Sequence, residues 1–450
     1  MEFKNSDLEY LAIADIRITP DDPVSTKQDQ LEKWANVIQG MDVAPPLLVN
    51  NSKELLAGHT LFGAYKLLGI DPVPAVKLDR LSPEDSMAFK IAHTKIERET
   101  SFDPVRLREN LQHLISVDYN LDLTGMTSID IDSAFSFDDD TDLEPEVDPI
   151  PGLIPVEQAT SNEGDLFQCG DHRLICGNSR LEKTYQRLME DERADAVLTD
   201  PPYGCQIEGF VSKSHRNFLD GCFKNLKDFN KFLGETTSHI PAYSKPESLS
   251  AVFMDWRGLR SLLNIGDKVF SGLVNVCTWA KTTPSMGSPW RSQTEFSAIF
   301  KNGDAQHQDR IQLGRHGRNR SNLWRFPGCS SFGKTRQKDI QDHPTIKPQA
   351  LLRPLVRDLS NRGDILLDPF GGSGSTMIAC EWTGRKARLI ELDPKFVDVA
   401  IKRWQAETGK EAVHVETGLT FSELAEKRAS EAEPKPDTSI SEQADEEVAS

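Results

Sequence analysis

Ile365-Leu366-Leu367-Asp368-Pro369-Phe370-Gly371-Gly372-Ser373-Gly374-Ser375-Thr376 is the stretch whose reading decides the fold. Its first four residues read as a buried strand, three glycines follow, and Ser375 to Thr383 reads as a helix closed by Gly384. Ala387-Arg388-Leu389-Ile390 is then the next strand, and Pro394 to Thr408 the next helix, closed by Gly409. Such alternation predicts a mainly parallel, Rossmann-like α/β sheet. The glycines permit a sharp turn and close approach of a ligand to the helix N-terminus. Glu391 ends the second strand, where a site of this type needs a carboxylate to accept ribose hydroxyl hydrogen bonds. A nucleoside is the expected ligand. The loop is not GxGxxG and lacks the Lys-Ser/Thr of a phosphate-binding loop, which disfavours dinucleotides and nucleoside triphosphates.

Well upstream, the apolar run Ala194-Asp195-Ala196-Val197-Leu198-Thr199 leads into Asp200-Pro201-Pro202-Tyr203. Taken alone, those four residues are equally a stiff proline turn after a strand. Combined with the glycine loop, they resemble the amino-methylating DNA methyltransferases, in which a DPPY-type segment holds the target base and an FGGSG-type loop holds S-adenosylmethionine. The resemblance covers roughly 165–410. It extends to Gly170-Asp171-His172-Arg173-Leu174-Ile175-Cys176-Gly177-Asn178-Ser179, Trp279-Ala280-Lys281, His343-Pro344-Thr345-Ile346-Lys347-Pro348 and Glu391-Leu392-Asp393-Pro394, in an order similar to that of the β group.

This resemblance implies catalytic roles for Asp200, Pro201, Pro202 and Tyr203. It also implies cofactor contacts from Phe370, Gly371, Gly372, Ser373, Gly374, Glu391, Asn178, Thr345 and Lys347. One position departs: relatives often have Gly-Asp-Ser where this chain has Gly177-Asn178-Ser179. Asn178 can still accept a hydrogen bond from the cofactor's adenine amino group through its amide oxygen, so weakened cofactor binding is expected.

The chemistry accounts for the residue types. An exocyclic amino nitrogen is a poor nucleophile because its lone pair is delocalised into the base. The Asp200 carboxylate and the Pro201 carbonyl can accept the two amino hydrogens and localise that pair, the prolines stiffen the turn, and Tyr203 can stack on an extruded base. Within the resembled family, Asp at the first position leans toward the 6-amino group of adenine, with the 4-amino group of cytosine as the alternative. Carbon-5 methylation needs a cysteine nucleophile, in that family directly after a proline, whereas Cys205 follows Gly204.

The net charge of −18 is unevenly placed. Residues 121–150 hold ten acids and no base, and 422–450 hold nine acids against three bases, while 301–347 carry ten bases against four acids. That basic segment predicts a hold on double-stranded DNA through Arg315, Arg318, Arg320, Arg325, Lys334 and Arg336. The seven cysteines form no CxxC pair, which argues against a disulfide framework and a zinc ribbon; no metal is expected. No membrane span or signal peptide is read, so the chain is expected to be cytoplasmic.

The expected domains are a small α/β module at 1–118, an acidic linker at 119–160, a methyltransferase domain at 161–420 with target recognition at about 206–340, and a disordered acidic tail at 421–450. In the first module, strands are expected at Leu11 to Ile18, Pro46 to Val49 and Leu55 to Ala57, with helices at Gln28 to Gln39 and Leu61 to Leu68. Leu56-Ala57-Gly58-His59-Thr60-Leu61-Phe62-Gly63 and the run to Val76 resemble the ParB/sulfiredoxin N-terminal domain. Leu61 stands where that family's phosphate-binding arginine is expected, which argues against nucleotide hydrolysis here. DNA positioning or a homodimer contact is the role expected. Two functions follow: an S-adenosylmethionine-dependent, site-specific DNA methyltransferase, or a ParB-like DNA-binding or nuclease protein whose methyltransferase half is inactive.

Overall fold

The computed structural model describes residues 8–20, 22–117, 119–136, 159–203, 223, 225–285, 289–313, 320–327 and 347–432, divided between two compact units, Met1–Phe137 and Asp138–Ser450.

The first unit has strands β1 (Leu8–Leu11), β2 (Leu47–Asn50), β3 (Leu55–Ala57) and β4 (Val73–Leu78) in the order β1-β4-β2-β3. Only the β2–β4 pair is parallel. Helices Gln28–Met41 and His59–Leu68 supply Ala35, Ile38, Leu61, Phe62 and Tyr65 to a core shared with Leu47, Val49, Leu55 and Val73. The expected strand over Leu11 to Ile18 stops at its first residue. There the Asp15 amide donates to the Ala12 carbonyl at 2.9 Å, which winds Ile13–Asp15 into a 3-10 turn.

The acidic linker also starts later than composition predicts. Helix Ser128–Ser136 packs Ile131 and Ala134 on Leu111 of helix Pro104–Ser116. One of the acids counted as linker charge is a helix-capping group: Asp130 accepts the Thr127 amide at 2.8 Å.

The second unit is built on ten strands: β5 (Leu166–Cys169), β6 (His172–Cys176), β7 (Ala194–Thr199), β8 (Ser244–Met254), β9 (Gly272–Ala280), β10 (Thr294–Lys301), β11 (Leu323–Arg325), β12 (Ile365–Asp368), β13 (Lys386–Glu391) and β14 (Val413–His414). Their order is β11-β9-β10-β8-β7-β12-β13-β6-β5-β14. Strands β8, β7, β12, β13 and β6 form a parallel centre. Because β7 leads to β8 on one side and β12 leads to β13 on the other, the order reverses between β7 and β12. In open α/β sheets that reversal leaves a crevice beyond the carboxyl ends of the strands.

Local sequence explains the helices behind this centre. In Pro394–Thr408, Asp393 caps the Lys395 amide at 2.9 Å, Pro394 takes the first turn, and Gly409 ends the helix at φ 69°. Val397, Ala400, Ile401 and Trp404 recur at helical spacing and are fully buried against the sheet.

Two expected boundaries change. The tail expected from 421 begins as helix Phe421–Ala432, whose Phe421 and Leu424 join the core while Arg428 donates to both oxygens of Asp165, at 2.5 and 3.0 Å. Counting acids hid this short apolar face. The expected recognition region, 206–340, contributes β8 to β11 to the sheet, so much of it is scaffold.

Candidate active site

Four neighbouring strand ends bring the sequence motifs into one row. Asp200 follows β7, the glycine loop follows β12, Glu391 ends β13, and Asn178 follows β6 by two residues. Parallel pairing fixes the row, with Leu366 opposite Ala196, Asp368 opposite Leu389, and Glu391 opposite Cys176.

Asp368 ties these ends together. Its carboxylate accepts Thr199 Oγ1 at 2.7 Å, Thr376 Oγ1 at 2.6 Å and the Phe370 amide at 3.0 Å, joining β7, the loop and the helix Ser375–Thr383. Burial pushes its pKa up to about 7 against those hydrogen bonds.

The loop needs its glycines. Gly372 and Gly374 take φ of 50° and 80°, and a Cβ on Gly374 would lie 2.9 Å from that of Ala400. A Cβ built on Gly372 meets nothing within 4 Å, so the loop is open there, beside the acid that ends β13. Glu391 accepts the Gly372 amide at 2.7 Å and the Asp393 amide at 2.8 Å. Burial raises its pKa to about 7 although these bonds favour the anion. An open glycine turn beside a carboxylate on the next strand fits a nucleoside.

The other expected cofactor residues are placed unequally. Phe370 packs its ring 5.9 Å from that of Phe232. Ser373 turns toward Arg403, which donates to its carbonyl and hydroxyl at 3.2 and 3.3 Å. Asn178 accepts the Arg180 amide at 2.9 Å, and the Gly177 amide donates to the Glu391 carbonyl at 2.8 Å. Lys347, expected at the cofactor, donates instead to Asp200 Oδ2 at 2.5 Å and pairs with Glu295 Oε2 at 3.2 Å. Thr345 lies outside the described residues.

Tyr203 completes the cluster. Its hydroxyl lies 2.7 Å from Asp200 Oδ1, 2.9 Å from Glu295 Oε2 and 3.1 Å from Lys347 Nζ. Lys281, just past β9, donates to Glu295 Oε1. Two ammoniums thus balance two carboxylates in a partly buried pocket. Burial alone would raise Glu295, but Lys347 and Lys281 hold it down at about 2. Asp200 is pushed above the usual carboxylate range, first by burial and then by the charge of Glu295, with Lys347 opposing. Lys347 is raised: the two anions overcome the effect of burial, so it stays protonated.

Glu295 escaped the sequence reading, and Asp368 reads there as a strand end without a role. Thr294-Glu295-Phe296 matches no motif, and its only signal was a charge opening an apolar strand. Antiparallel pairing of β10 with β8 brings it to the same sheet edge as Asp200.

The basic residues divide. Arg320, expected at a phosphate, donates to Asp358 Oδ2 through Nε and Nη2 at 3.1 and 2.9 Å. Arg325 ends β11 and is exposed. Arg315, Arg318, Lys334 and Arg336 lie outside the described residues. Among the described residues no cluster of His, Cys, Asp or Glu could hold a metal ion, and no helix is long and apolar enough to cross a membrane.

The family model described as DNA methylase (N6_N4_Mtase) matches residues 194–402. The chain is 27% identical over 251 residues to the type II methyltransferase M.HpaI of Haemophilus parainfluenzae, a match spanning 53% of this chain and 75% of that protein. It is 26% identical over 239 residues to the type II methyltransferase M.HinfI of Haemophilus influenzae, covering 48% and 64%. Among solved structures, PvuII DNA methyltransferase (cytosine-N4-specific) is similar over 59% of this chain and 96% of its own, at 17% identity and a TM-score of 0.42. The likeness to DNA methyltransferases thus spans about half of the chain, at 26–27% identity to the two type II enzymes.

Proposed function

We propose that this chain transfers a methyl group from S-adenosylmethionine to the 6-amino group of adenine in double-stranded DNA. The observation that carries the reading is the row of strand ends: Asp200 after β7 stands directly beside the glycine loop after β12, with Glu391 and Asn178 further along. Glu391 would hold the nucleoside part of the cofactor by accepting hydrogen bonds from its ribose hydroxyls, and Asn178 would accept one from its adenine amino group. When bound, the cofactor supplies an electrophilic methyl carbon on a sulfonium.

The chain's own residues prepare the nucleophile. Asp200 and the Pro201 carbonyl would accept the amino hydrogens, which localises the nitrogen lone pair toward the donated methyl, and the Asp200 carboxylate would take the one amino proton that methylation releases. Each Asp200 oxygen already holds one protein donor, Oδ1 the Tyr203 hydroxyl and Oδ2 the Lys347 ammonium. The Tyr203 ring stacks on the extruded base, contributing about 1–3 kcal/mol. Asp at the first position of the motif favours adenine; the 4-amino group of cytosine is the second reading. The first unit acts as a ParB-like DNA-positioning or dimerisation module.

Incubating the full chain with tritiated cofactor and duplex DNA, then digesting to nucleosides, tests this. N6-methyldeoxyadenosine is expected, and Asp200→Ala should abolish it. N4-methyldeoxycytidine would select the second reading; full incorporation by Asp200→Ala would refute the mechanism.

A further inference from the structure

The Tyr203 hydroxyl has one hydrogen and two carboxylates within reach, Asp200 Oδ1 at 2.7 Å and Glu295 Oε2 at 2.9 Å. It donates to one at a time. Lys347 sits between the same two acids, 2.5 Å from Asp200 and 3.2 Å from Glu295, and also donates to the Tyr203 oxygen at 3.1 Å. Both donors on Asp200 among the described residues therefore have Glu295 Oε2 as an alternative acceptor. Glu295 is held for this by Lys281 on its other oxygen and by its place at the start of β10, paired to β8 and β9.

We propose that Glu295 is a positioning residue that takes over the Tyr203 hydroxyl and part of the Lys347 ammonium, so that Asp200 exchanges protein donors for the hydrogens of the target amine. This rests on the reading of Asp200 given above. An amine entering the pocket competes with donors already on Asp200. Without a second acceptor, displacing them would strand a buried hydroxyl and ammonium, which is costly. With Glu295 present, the hydroxyl rotates from one carboxylate to the other and nothing is left unpaired. No covalent bond changes in this exchange.

The charged and titratable groups facing Asp200 are Lys347, Tyr203 and Glu295, with Asp368 on the neighbouring strand and Lys281 behind Glu295. Neutralising Glu295 takes away a nearby negative charge that disfavours the Asp200 anion. That gives a readout that mere support of the fold would not move.

Glu295→Gln in the full chain should slow single-turnover methyl transfer about ten- to a hundredfold, the equivalent of one hydrogen bond to a charged group. Cofactor affinity should stay within twofold. Glu295→Asp should recover part of the rate. In a Tyr203→Phe background the same Glu295→Gln change should cost much less, because the hydroxyl to be exchanged is gone. Aspartate-labelled chain followed by carbon-13 NMR, with Asp200→Asn as the assignment control, should show Asp200 titrating at lower pH in Glu295→Gln. This last measurement needs no turnover, so a parent chain that methylates nothing would count against the functional reading, while the titration still judges the role of Glu295. Additive costs in the two backgrounds, an unmoved Asp200 titration, or a parallel loss of cofactor binding would each overturn the proposal.

Discussion

Replacing Lys347 by methionine removes the cation shared by two carboxylates while nearly preserving side-chain length. Lys347 and its partners Asp200 and Glu295 have side chains only 9, 23 and 15% exposed. Glu295 keeps Lys281, so the loss falls mainly on Asp200, which among the described residues retains only the Tyr203 hydroxyl. Breaking a buried ion pair from one side costs about 3–5 kcal/mol, and the residual exposure of Asp200 argues for the lower end, about 3 kcal/mol at neutral pH. The cost should depend on pH. With its cation gone, the folded-state pKa of Asp200 lies further above the unfolded value, so between those two values the folded chain holds the extra proton. Stability of Lys347→Met is then greatest at acid pH and falls as pH rises through the folded-state pKa. Urea unfolding read by hydrogen exchange of the β7 and β12 peptides reports the second unit by itself. A loss that is equal at pH 5 and pH 8, or below the ~1 kcal/mol of a surface ion pair, would refute the reasoning.

Glu391, raised to about 7, should make cofactor affinity rise with pH up to that value and level off above it, since the anion is the better acceptor for ribose hydroxyls; calorimetric titration giving a flat profile from pH 5.5 to 8 would remove Glu391 from the ribose. Asp398, fully buried, accepts the Thr160 and Ser161 amides at 2.6 and 3.0 Å, so Asp398→Ala should destabilise the second unit by about 2–4 kcal/mol and expose both amides to exchange. Trp404→Ala, deleting a fully buried indole that donates to Glu381 at 2.9 Å, should cost about 3–5 kcal/mol in the same assay. Arg325→Gln should lower the salt slope of DNA binding by about one, whereas Arg320→Gln should leave it unchanged, because Arg320 is held by Asp358.

Much of the fold was legible because its signals are local. Ile365–Asp368, Ser375–Thr383 and Pro394–Thr408 occupy the residues that apolar runs, glycine stops and capping acids predict. Misreadings arose where composition stood in for packing. The acids at 121–136 and 423–431 lie on folded helices whose few apolar residues face inward, and an average over the segment cannot see a face. The Arg320–Asp358 pair was hidden for a related reason: the two residues lie 38 apart along the chain.

The sequence by itself determined the parallel centre of the second unit, the glycine turn and the identity of the acids that end its strands, because each is written in neighbouring residues. Only the tertiary structure decided the company Asp200 keeps. Lys281, Glu295 and Lys347 come from three separate segments, and it is strand order, together with the antiparallel return of β9 and β10, that brings them to one sheet edge. Their mutual charge compensation is a property of that juxtaposition, so no spacing along the chain could encode it.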